Sequence, residues 1–348
     1  MPNAALVSFR LGGHDGVSIE SAKWAGALSA LGWHVGTVAG DGPVDTLLPG
    51  LAIDATEPPT SGEVRDALAP FDLVIVENLC SLPLNPAAAA VVAAVCHGRP
   101  SILHHHDLAW QRPHLDHLPP PPTDPLWAHV TINELSRHQL AQHGITASTL
   151  YNRFDPDPPR GARERIRESL GLDHSTRLFL QPTRALERKN VAAGLALSEA
   201  CGATYWLAGP AEDGYGPELE RLVSTARCPV LLADATDGVS CTIDDAYAAC
   251  DAVVLPSSWE GFGNPSIESA THRRPLAIGP YPVAQELAAF GFRWFDSADP
   301  TPLSDWLVHR DPDLLDVNHA VAARHFNISD LPAQLGLVLA QLPLGGGR

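Results

Sequence analysis

The chain lacks the features that mark several large classes of protein. No run of about eighteen apolar residues occurs, so the sequence predicts no membrane-spanning helix. The opening residues, MPNAALVSFR, lack the charged segment and apolar core of a signal peptide, so we expect a cytoplasmic protein. Lysine occurs only at Lys23 and Lys189, and 40 acidic against 23 basic residues give a net charge of −17, which argues against a nucleic-acid partner.

Several enzyme motifs are missing as well. The absence of G-x-S-x-G, a P-loop and H-E-x-x-H argues against serine hydrolases, P-loop NTPases and zincin proteases. The six cysteines contain no C-x-x-C pair and are expected to be buried thiols. With 348 residues, 45% of them hydrophobic and 18% charged, the chain is long and apolar enough for two globular domains.

Two series of alternating strand and helix patterns divide the chain. Hydrophobic runs and helical stretches alternate up to about residue 152, and the alternation restarts near 177 after a charged, proline-rich linker. Such alternation predicts α/β domains, each a doubly wound parallel sheet, facing each other across a cleft. We place the first domain at 1–155 and the second at 156–324.

The stretch LPSSWEGFGNPSIESA puts Glu260 and Glu268 on either side of a glycine-rich step. The apolar run before it is typical of a buried strand, and Asn264 with Pro265 is typical of a capped helix start, so we predict strand, loop and helix. A helix N-terminus favours an anion, while the two carboxylates suit hydroxyl groups. A nucleotide sugar offers both, and the alternative is an ordinary surface helix with acidic residues near its start.

A basic loop, QPTRALERKN at 181–190, follows another predicted strand. Basic residues at a helix start oppose the helix dipole, so a bound anion explains Arg184, Arg188 and Lys189 better than simple solvation does. Arg184 can hold a phosphate through two N–H groups, and Lys189 adds a compact charge.

Two weaker patterns lie in the first domain. LGGHDG at 11–16 either forms a tight strand–helix turn or lets the backbone approach a ligand, and it is not the dinucleotide motif G-x-G-x-x-G. In HHHDLAW, strand alternation puts His104 and His106 on one face. A zinc site that adds Asp107, His114 and His117 is one alternative, and a single histidine lining the cleft is the favoured one.

Together these patterns resemble the retaining glycosyltransferases of family 4, which have the GT-B fold. The most specific match is ACDAVVLPSSWEGFGNPSIESATHRRP, with its Pro-Ser, Glu-Gly-Phe-Gly step and second glutamate. PTRALERKN is similar to the family's phosphate loop, WLAGP to its nucleotide turn and LGGHDGVS to its glycine loop. In SILHHHD, His106, next to Asp107, falls on the family's active-site histidine. The resemblance covers nearly the whole chain, and it implies a C-terminal helix, at about 325–348, that packs back onto the first domain.

The resemblance implies a role for each matching residue. His106 would position donor and acceptor. Arg184 and Lys189 would neutralise the diphosphate leaving group, and Glu260 would hold a hydroxyl of the transferred hexose. Glu268 would accept hydrogen bonds from the ribose. The implied donor-binding residues are Gly12, Gly13, Gly16, Arg184, Lys189, Gly209, Pro210, Glu260, Phe262, Gly263, Asn264, Ser266 and Glu268.

Three residues depart from the family pattern: Arg153, Asn190 and Arg273 each stand where the family has glycine. None of these changes removes a charge that the implied mechanism needs.

The implied activity is retaining transfer of a hexose from a nucleotide diphosphate sugar to a hydroxyl of a saccharide or glycoconjugate. GDP-mannose is the predicted donor, with UDP-glucose as the alternative. No cofactor and no metal are expected, because the two Asp-Pro-Asp sequences lie in the linker and near the C-terminal tail. A nucleotide-sugar epimerase or a phosphorylase on the same scaffold is the rival prediction.

Overall fold

The computed structural model describes residues 1–13, 15–233, 235–236 and 238–344. The chain forms two units, one made of Met1–Arg153 with the segment from Ile328 onward, and the other made of Phe154–Asn327. Each unit is built on one parallel sheet with helices packed against it, which confirms the predicted pair of α/β domains. Within the described residues, no helix has the length and apolar character needed to cross a membrane.

The strands and helices are numbered here in chain order. The strands are β1 (Asn3–Arg10), β2 (His34–Asp41), β3 (Thr46–Leu47), β4 (Leu73–Glu77), β5 (Ser101–His105), β6 (Trp127–Thr131), β7 (Ala147–Thr149), β8 (Leu178–Gln181), β9 (Thr204–Leu207), β10 (Val230–Leu231), β11 (Ala252–Leu255), β12 (Leu276–Ile278) and β13 (Phe295–Asp296). The helices are α1 (Gly16–Ala30), α2 (Ser61–Leu68), α3 (Pro86–Cys96), α4 (Glu134–Gln142), α5 (Arg163–Ser169), α6 (Val191–Ala200), α7 (Gly216–Thr225), α8 (Ile243–Ala249), α9 (Pro265–Thr271), α10 (Pro282–Ala288), α11 (Pro300–His309), α12 (Pro312–His325) and α13 (Leu331–Leu339).

The first sheet has the order β3-β2-β1-β4-β5-β6-β7, and all its pairings are parallel. Its central strands are buried on both faces, which is why β4 reads as the unbroken apolar run LVIV before Glu77. In register, Val7 of β1 lies beside Val38 on one side and Val76 on the other.

The second sheet has the order β10-β9-β8-β11-β12-β13 and is also parallel. Phe179 and Val254 from its central strands lie in one buried core with Leu303 of α11. The predicted linker is shorter than expected, because α5 begins at Arg163. The Arg163 guanidinium donates to three carbonyl groups at the end of α8 and pairs with Asp251 at 2.8 Å, so these charges anchor a helix.

The C-terminal segment belongs to the core of the first unit. Leu331, Leu335 and Leu339 of α13 pack in one buried cluster with Trp24 and Leu28 of α1. The helix is shorter than the predicted 325–348, because the chain ends α12 at His325 and then forms a 3-10 turn before α13. Residues 345–348 of that prediction lie outside the described part of the chain.

Four of the six cysteines are buried, whereas Cys228 and Cys241 are partly exposed. The expectation of buried thiols is therefore correct for most of them.

Candidate active site

Each sheet contains a point at which the chain changes the direction in which it adds strands. In the second sheet this point lies between β8 and β11, because β9 and β10 extend the sheet on one side while β12 and β13 extend it on the other. Open α/β sheets bind ligands outside the carboxyl ends of their strands at such a point. The loops after β8 and β11, at 182–190 and 256–264, carry the predicted phosphate and hexose residues. The strand order thus brings the two predicted loops to the place where this architecture binds ligands.

Glu260, in the loop after β11, is held by two basic side chains and a hydroxyl group. Its Oε1 accepts hydrogen bonds from Lys189 Nζ at 2.5 Å and from Ser257 Oγ at 2.6 Å. Its Oε2 accepts from Arg188 Nη1 at 3.0 Å. Burial alone would raise the pKa of Glu260, but the charges of Lys189 and Arg188 outweigh it and hold that pKa below its usual value. We call Glu260, Lys189, Arg188 and Ser257 the Glu260 cluster. In it an ionised carboxylate lies between two cations.

This pairing adds a residue to the predicted set. The sequence analysis names Arg188 only as one of three basic residues in its loop, yet its guanidinium reaches both the Glu260 carboxylate and the carbonyl oxygen of Trp259, the latter at 3.1 Å. Lys189 and Glu260, which the sequence assigns to different parts of the ligand, bind each other. The cluster carries one positive charge in excess, and that excess suits an anionic ligand.

Arg184 pairs with a different carboxylate. Its Nη1 lies 2.5 Å from Oε2 of Glu212, and both side chains are partly exposed.

Gly209 and Pro210, in the turn after β9, pack against the loop that carries Arg184. A Cβ on Gly209 would lie 2.6 Å from the Thr183 carbonyl oxygen, and the Pro210 carbonyl accepts from the Ala185 N–H at 2.8 Å. Their visible role is to set the path of the basic loop.

The glycine step requires glycine at one position. Gly263 has φ +85°, and a Cβ there would lie 2.2 Å from the Tyr281 hydroxyl oxygen, so a larger residue would strain the loop. Phe262 is buried, with its ring centroid 6.1 Å from that of Phe154. The predicted cap is wrong: Asn264 has helical dihedrals and its side chain makes no capping hydrogen bond, whereas Pro265 opens α9 as expected.

Ser266, the second residue of α9, is fully buried. Its hydroxyl oxygen has no hydrogen-bond partner among the described residues. A buried hydroxyl without a partner is uncommon in proteins, and the place of Ser266 in the donor set stays a prediction.

Glu268, in the first turn of α9, belongs to a second polar cluster. The Tyr247 hydroxyl of α8 donates to its Oε2 at 2.7 Å. His272 contacts the Glu268 carbonyl oxygen through Nδ1 at 2.8 Å and Asp244 Oδ1 through Nε2 at 2.9 Å. The rings of Tyr247 and His272 stack, with centroids 4.4 Å apart. We call these four residues the Glu268 cluster.

Sequence reasoning missed Tyr247 and His272. Tyr247 sits in IDDAYAAC at the spacing of an ordinary core residue, and His272 follows α9 without any motif of its own. The signal that would have found Tyr247 is its polar hydroxyl, because a buried tyrosine usually has a hydrogen-bond partner.

In the first unit, His104 and His106 share one face of the sheet, as predicted, and bind the same carboxylate. Oε2 of Glu77 lies 2.8 Å from His104 Nδ1 and 2.8 Å from His106 Nε2. All three side chains are buried. Burial would raise the pKa of Glu77, but the two histidines lower it to about 2. Burial lowers the pKa of His104, while for His106 the hydrogen bond and charge of Glu77 outweigh burial and raise the pKa.

Glu77, His104 and His106 are also the group of potential metal ligands that the described residues bring together. Two nitrogens 2.8 Å from one oxygen match N–H groups that donate to a carboxylate. Ligands at zinc–ligand distances of about 2.0–2.2 Å around a tetrahedral ion would lie roughly 3.3–3.6 Å apart. The distances therefore favour a hydrogen-bonded group. The alternative zinc prediction also includes Asp107, His114 and His117, none of which belongs to this group.

The glycine loop follows β1, at the switch point of the first sheet between β1 and β4. Gly12 has φ +77°, and a Cβ there would lie 2.7 Å from the Pro43 side chain. Gly13 and Gly16 have no such close neighbour, and Gly16 is the first residue of α1. Asp15 caps that helix by accepting from two backbone N–H groups. His14 of this loop lies outside the described residues.

The predicted residues thus fall into two groups. The second unit holds Arg184, Lys189, Gly209, Pro210, Glu260, Phe262, Gly263, Asn264, Ser266 and Glu268, and the first unit holds Gly12, Gly13, Gly16 and His106. Within the second group the structure joins Lys189 directly to Glu260, while Arg184 and Glu268 have partners of their own.

Known proteins resemble this chain over most of its length. No protein-family model matches it. The mannosylglucosylglycerate synthase of Petrotoga mobilis is 26% identical over 368 aligned residues, which cover 82% of this chain and 84% of that protein. The Thermotoga maritima protein of the same name is 24% identical, with 89% and 88% covered.

A solved structure of HepE from Anabaena, in complex with UDP and glucose, matches with a TM-score of 0.75 and 19% identity, covering 98% of this chain and 100% of that one. A second structure of HepE holds UDP-glucose. The match shows that the two parallel-sheet units are those of the GT-B fold, as the resemblance implied.

Proposed function

We propose that this protein, a hexosyltransferase of the GT-B fold, transfers mannose from a nucleotide diphosphate sugar to a saccharide hydroxyl, with retention of configuration and without a metal ion. GDP-mannose is the proposed donor. A glucosylglycerate is the proposed acceptor, because the relatives are named for the synthesis of mannosylglucosylglycerate. The observation that carries the proposal is the Glu260 cluster, in which the predicted basic loop and the predicted hexose glutamate meet at the switch point of the second sheet.

The basic residues of this cluster are proposed to stabilise the leaving group. A nucleoside diphosphate carries at least about two negative charges as it leaves. Neutralising these charges lowers the barrier to breaking the bond between the sugar and the diphosphate. Lys189 and Arg188 provide positive charge beside the carboxylate, and Arg184 stands on the same loop. Because the Arg184–Glu212 pair is partly exposed, little free energy opposes its exchange for a phosphate.

The two glutamates are proposed to bind the two sugars of the donor. Glu260 would accept a hydrogen bond from a hydroxyl of the transferred hexose, and its negative charge would favour the oxocarbenium-like transition state. Glu268 would accept from the ribose hydroxyls. The departing phosphate would assist deprotonation of the acceptor hydroxyl, which attacks from the same face and so preserves the configuration.

In the first unit, His106 is proposed to contact the substrate as a hydrogen-bond donor. The pKa of His106 is raised by its hydrogen bond to Glu77, despite burial, so the ring carries a proton over more of the neutral range than a free histidine does. A protonated imidazole donates through both ring nitrogens. Glu77 takes one of these donors, at Nε2.

A product assay tests this proposal. The protein is incubated with GDP-mannose or UDP-glucose, with and without glucosylglycerate, and products are identified by mass spectrometry and by NMR of the anomeric proton. We expect an α-mannosylated glucosylglycerate only when GDP-mannose and acceptor are both present. UDP-glucose is the second candidate donor, because HepE binds it. An altered donor sugar without acceptor would indicate an epimerase, and a sugar phosphate formed with phosphate would indicate a phosphorylase.

Metal independence has its own test. Activity should survive excess EDTA, whereas Lys189→Ala should lower turnover at least a hundredfold, or about 3 kcal/mol of transition-state stabilisation. Arg221→Ala is the matched control, because Arg221 is an exposed basic residue on α7, paired with Glu218. Loss of activity in EDTA with recovery in magnesium would contradict this account of the leaving group.

A further inference from the structure

The Tyr247 hydroxyl of α8 contacts the Glu268 carboxylate. We infer that its hydroxyl holds Glu268 in the orientation that recognises the 2′-hydroxyl of the donor's ribose, so that the enzyme selects ribonucleotides over 2′-deoxyribonucleotides. This inference rests on the proposed function, which places the ribose at Glu268.

The first support is the contact itself. Tyr247 is fully buried, and its hydroxyl lies 2.7 Å from Oε2 of Glu268, which is only partly buried. A carboxylate has about four lone-pair sites, and the tyrosine uses one of them. The hydrogen bond therefore restrains the carboxylate at one of these sites.

The second support is that a neighbouring side chain packs against the ring of Tyr247 and restrains it. His272 stacks on that ring and also contacts the backbone carbonyl of Glu268 and the Asp244 carboxylate. The ring of Tyr247 and the backbone of Glu268 are thus fixed to one another through His272. Side chains fixed by such packing orient a binding group more precisely than a free rotamer does.

The third support is the direction of the hydrogen bond. Burial, together with the nearby charge of Glu268, raises the pKa of the Tyr247 phenol well above its usual value, so the phenol keeps its proton and donates. In this hydrogen bond Glu268 is the acceptor. A 2′-hydroxyl supplies a donor, whereas a deoxyribose leaves an acceptor unpaired, and sites built to bind a hydroxyl discriminate strongly against analogues that lack it.

The test measures nucleotide affinity by titration calorimetry. The complete protein is titrated with UDP, GDP and their 2′-deoxy forms, in the wild type, in Tyr247→Phe and in the control Tyr215→Phe. Phenylalanine keeps the ring that stacks on His272 and removes only the hydroxyl, so folding should be preserved. Tyr215 is a partly buried tyrosine at the start of α7, outside both clusters.

We expect the wild type and Tyr215→Phe to bind the preferred ribonucleotide roughly tenfold or more tightly than its deoxy form. In Tyr247→Phe the ribonucleotide should bind about tenfold more weakly and most of the discrimination should vanish. An unchanged ratio in Tyr247→Phe, or a wild type that binds without discrimination, would overturn the inference while leaving the proposed function intact. A wild type that binds neither UDP nor GDP would instead refute the proposed function.

Discussion

Lys189 and Glu260 form a buried ion pair whose two members come from different loops. Removing two charges from water is costly, and the cost is offset only when each charge keeps its partner. Here the carboxylate has a second cation, Arg188, and a hydroxyl donor, Ser257. Removing one member of the pair should therefore affect stability as well as the proposed chemistry, and the two effects can be measured separately.

Alanine at Lys189 or at Glu260 should lower the free energy of unfolding by up to about 3–5 kcal/mol, because each change leaves a buried charge without its partner. Lys189→Ala should be the milder change, since Arg188 still pairs with the glutamate. The double variant should cost less than the sum of the single ones by about 1–3 kcal/mol. Urea unfolding of the four proteins measures this coupling, and additive effects would show that the pair is not energetically linked.

Three residues of this chain stand where the family has glycine, and two of them have the positive φ that glycine adopts easily. Asn190 has φ +51° and Arg273 has φ +53°, both in the left-handed region. Asparagine tolerates this region better than most residues, and Asn190 also caps α6 through its side chain. Arg273 is an exposed residue that pairs with Asp316. Its backbone conformation explains why glycine suits this position.

Arg273→Gly should therefore stabilise the protein by about 0.5–1 kcal/mol, because the left-handed conformation costs an arginine about 1–2 kcal/mol and glycine's greater entropy in the unfolded chain offsets part of that. Chemical denaturation provides the measurement. Asp316→Asn is the control that removes the surface ion pair alone, which is worth about 0–1 kcal/mol. A clear loss of stability in Arg273→Gly beyond that of the control would show that no strain is stored there.

At the level of elements, the alternation of strand β5 separates three consecutive histidines into two environments. His104 faces Glu77, whereas His105 points to the other face and meets His129 of β6, with Nε2 and Nδ1 3.0 Å apart. Burial lowers the pKa of His105 well below its usual value and that of His129 to about 4. The pair is neutral at pH 7, and one imidazole donates to the other.

This pair should make the protein sensitive to mild acid. A buried neutral histidine has a lowered pKa in the folded state, so the unfolded state binds more protons between pH 6.5 and about 4, and stability falls as the pH falls through that window. One such proton corresponds to about 1.4 kcal/mol per pH unit. Urea unfolding across pH 4–7.5 should show a shallower decline in His129→Asn, and equal slopes would contradict the assignment.

At the level of the whole molecule, the chain leaves the first unit after Arg153 and returns to it at Ile328. The returning helix α13 closes the core of the first unit against Trp24 and Leu28 of α1. Arg153, the third departure from the family's glycines, donates to Gln334 of this helix at 2.6 Å. The first unit is thus completed only by the last segment of the sequence.

Leu335→Ala should destabilise the first unit by about 2–5 kcal/mol, since Leu335 is fully buried in that core. Leu337→Ala on the same helix should change stability by less than about 0.5 kcal/mol, because Leu337 is 69% exposed. Differential scanning calorimetry measures the effect. Added nucleotide should shift the unfolding transition of the second unit and so identify it. Leu335→Ala should lower the midpoint of the first unit's transition only. Equal effects of the two variants would mean that α13 does not support the core.

The sequence alone determined the parallel α/β architecture, the division into two units and the identity of the charged loops. Strands buried on both faces must be apolar throughout, as in AVVL of β11, and loops at strand ends carry the polar residues, so both features appear as local patterns. The sequence also placed His104 and His106 on one face, because strand alternation is a local rule.

Only the tertiary structure decided which charges meet. Arg188 rather than Arg184 reaches Glu260 across 72 positions, Tyr247 reaches Glu268 across 21, and Glu77 reaches His106 across 29. These contacts join loops and helices that follow different strands, and the order of strands in a sheet brings them together. Hydrophobic periodicity reports whether a strand is buried but carries no information on which strand lies beside it, so the partners of each charge became visible only in the folded chain.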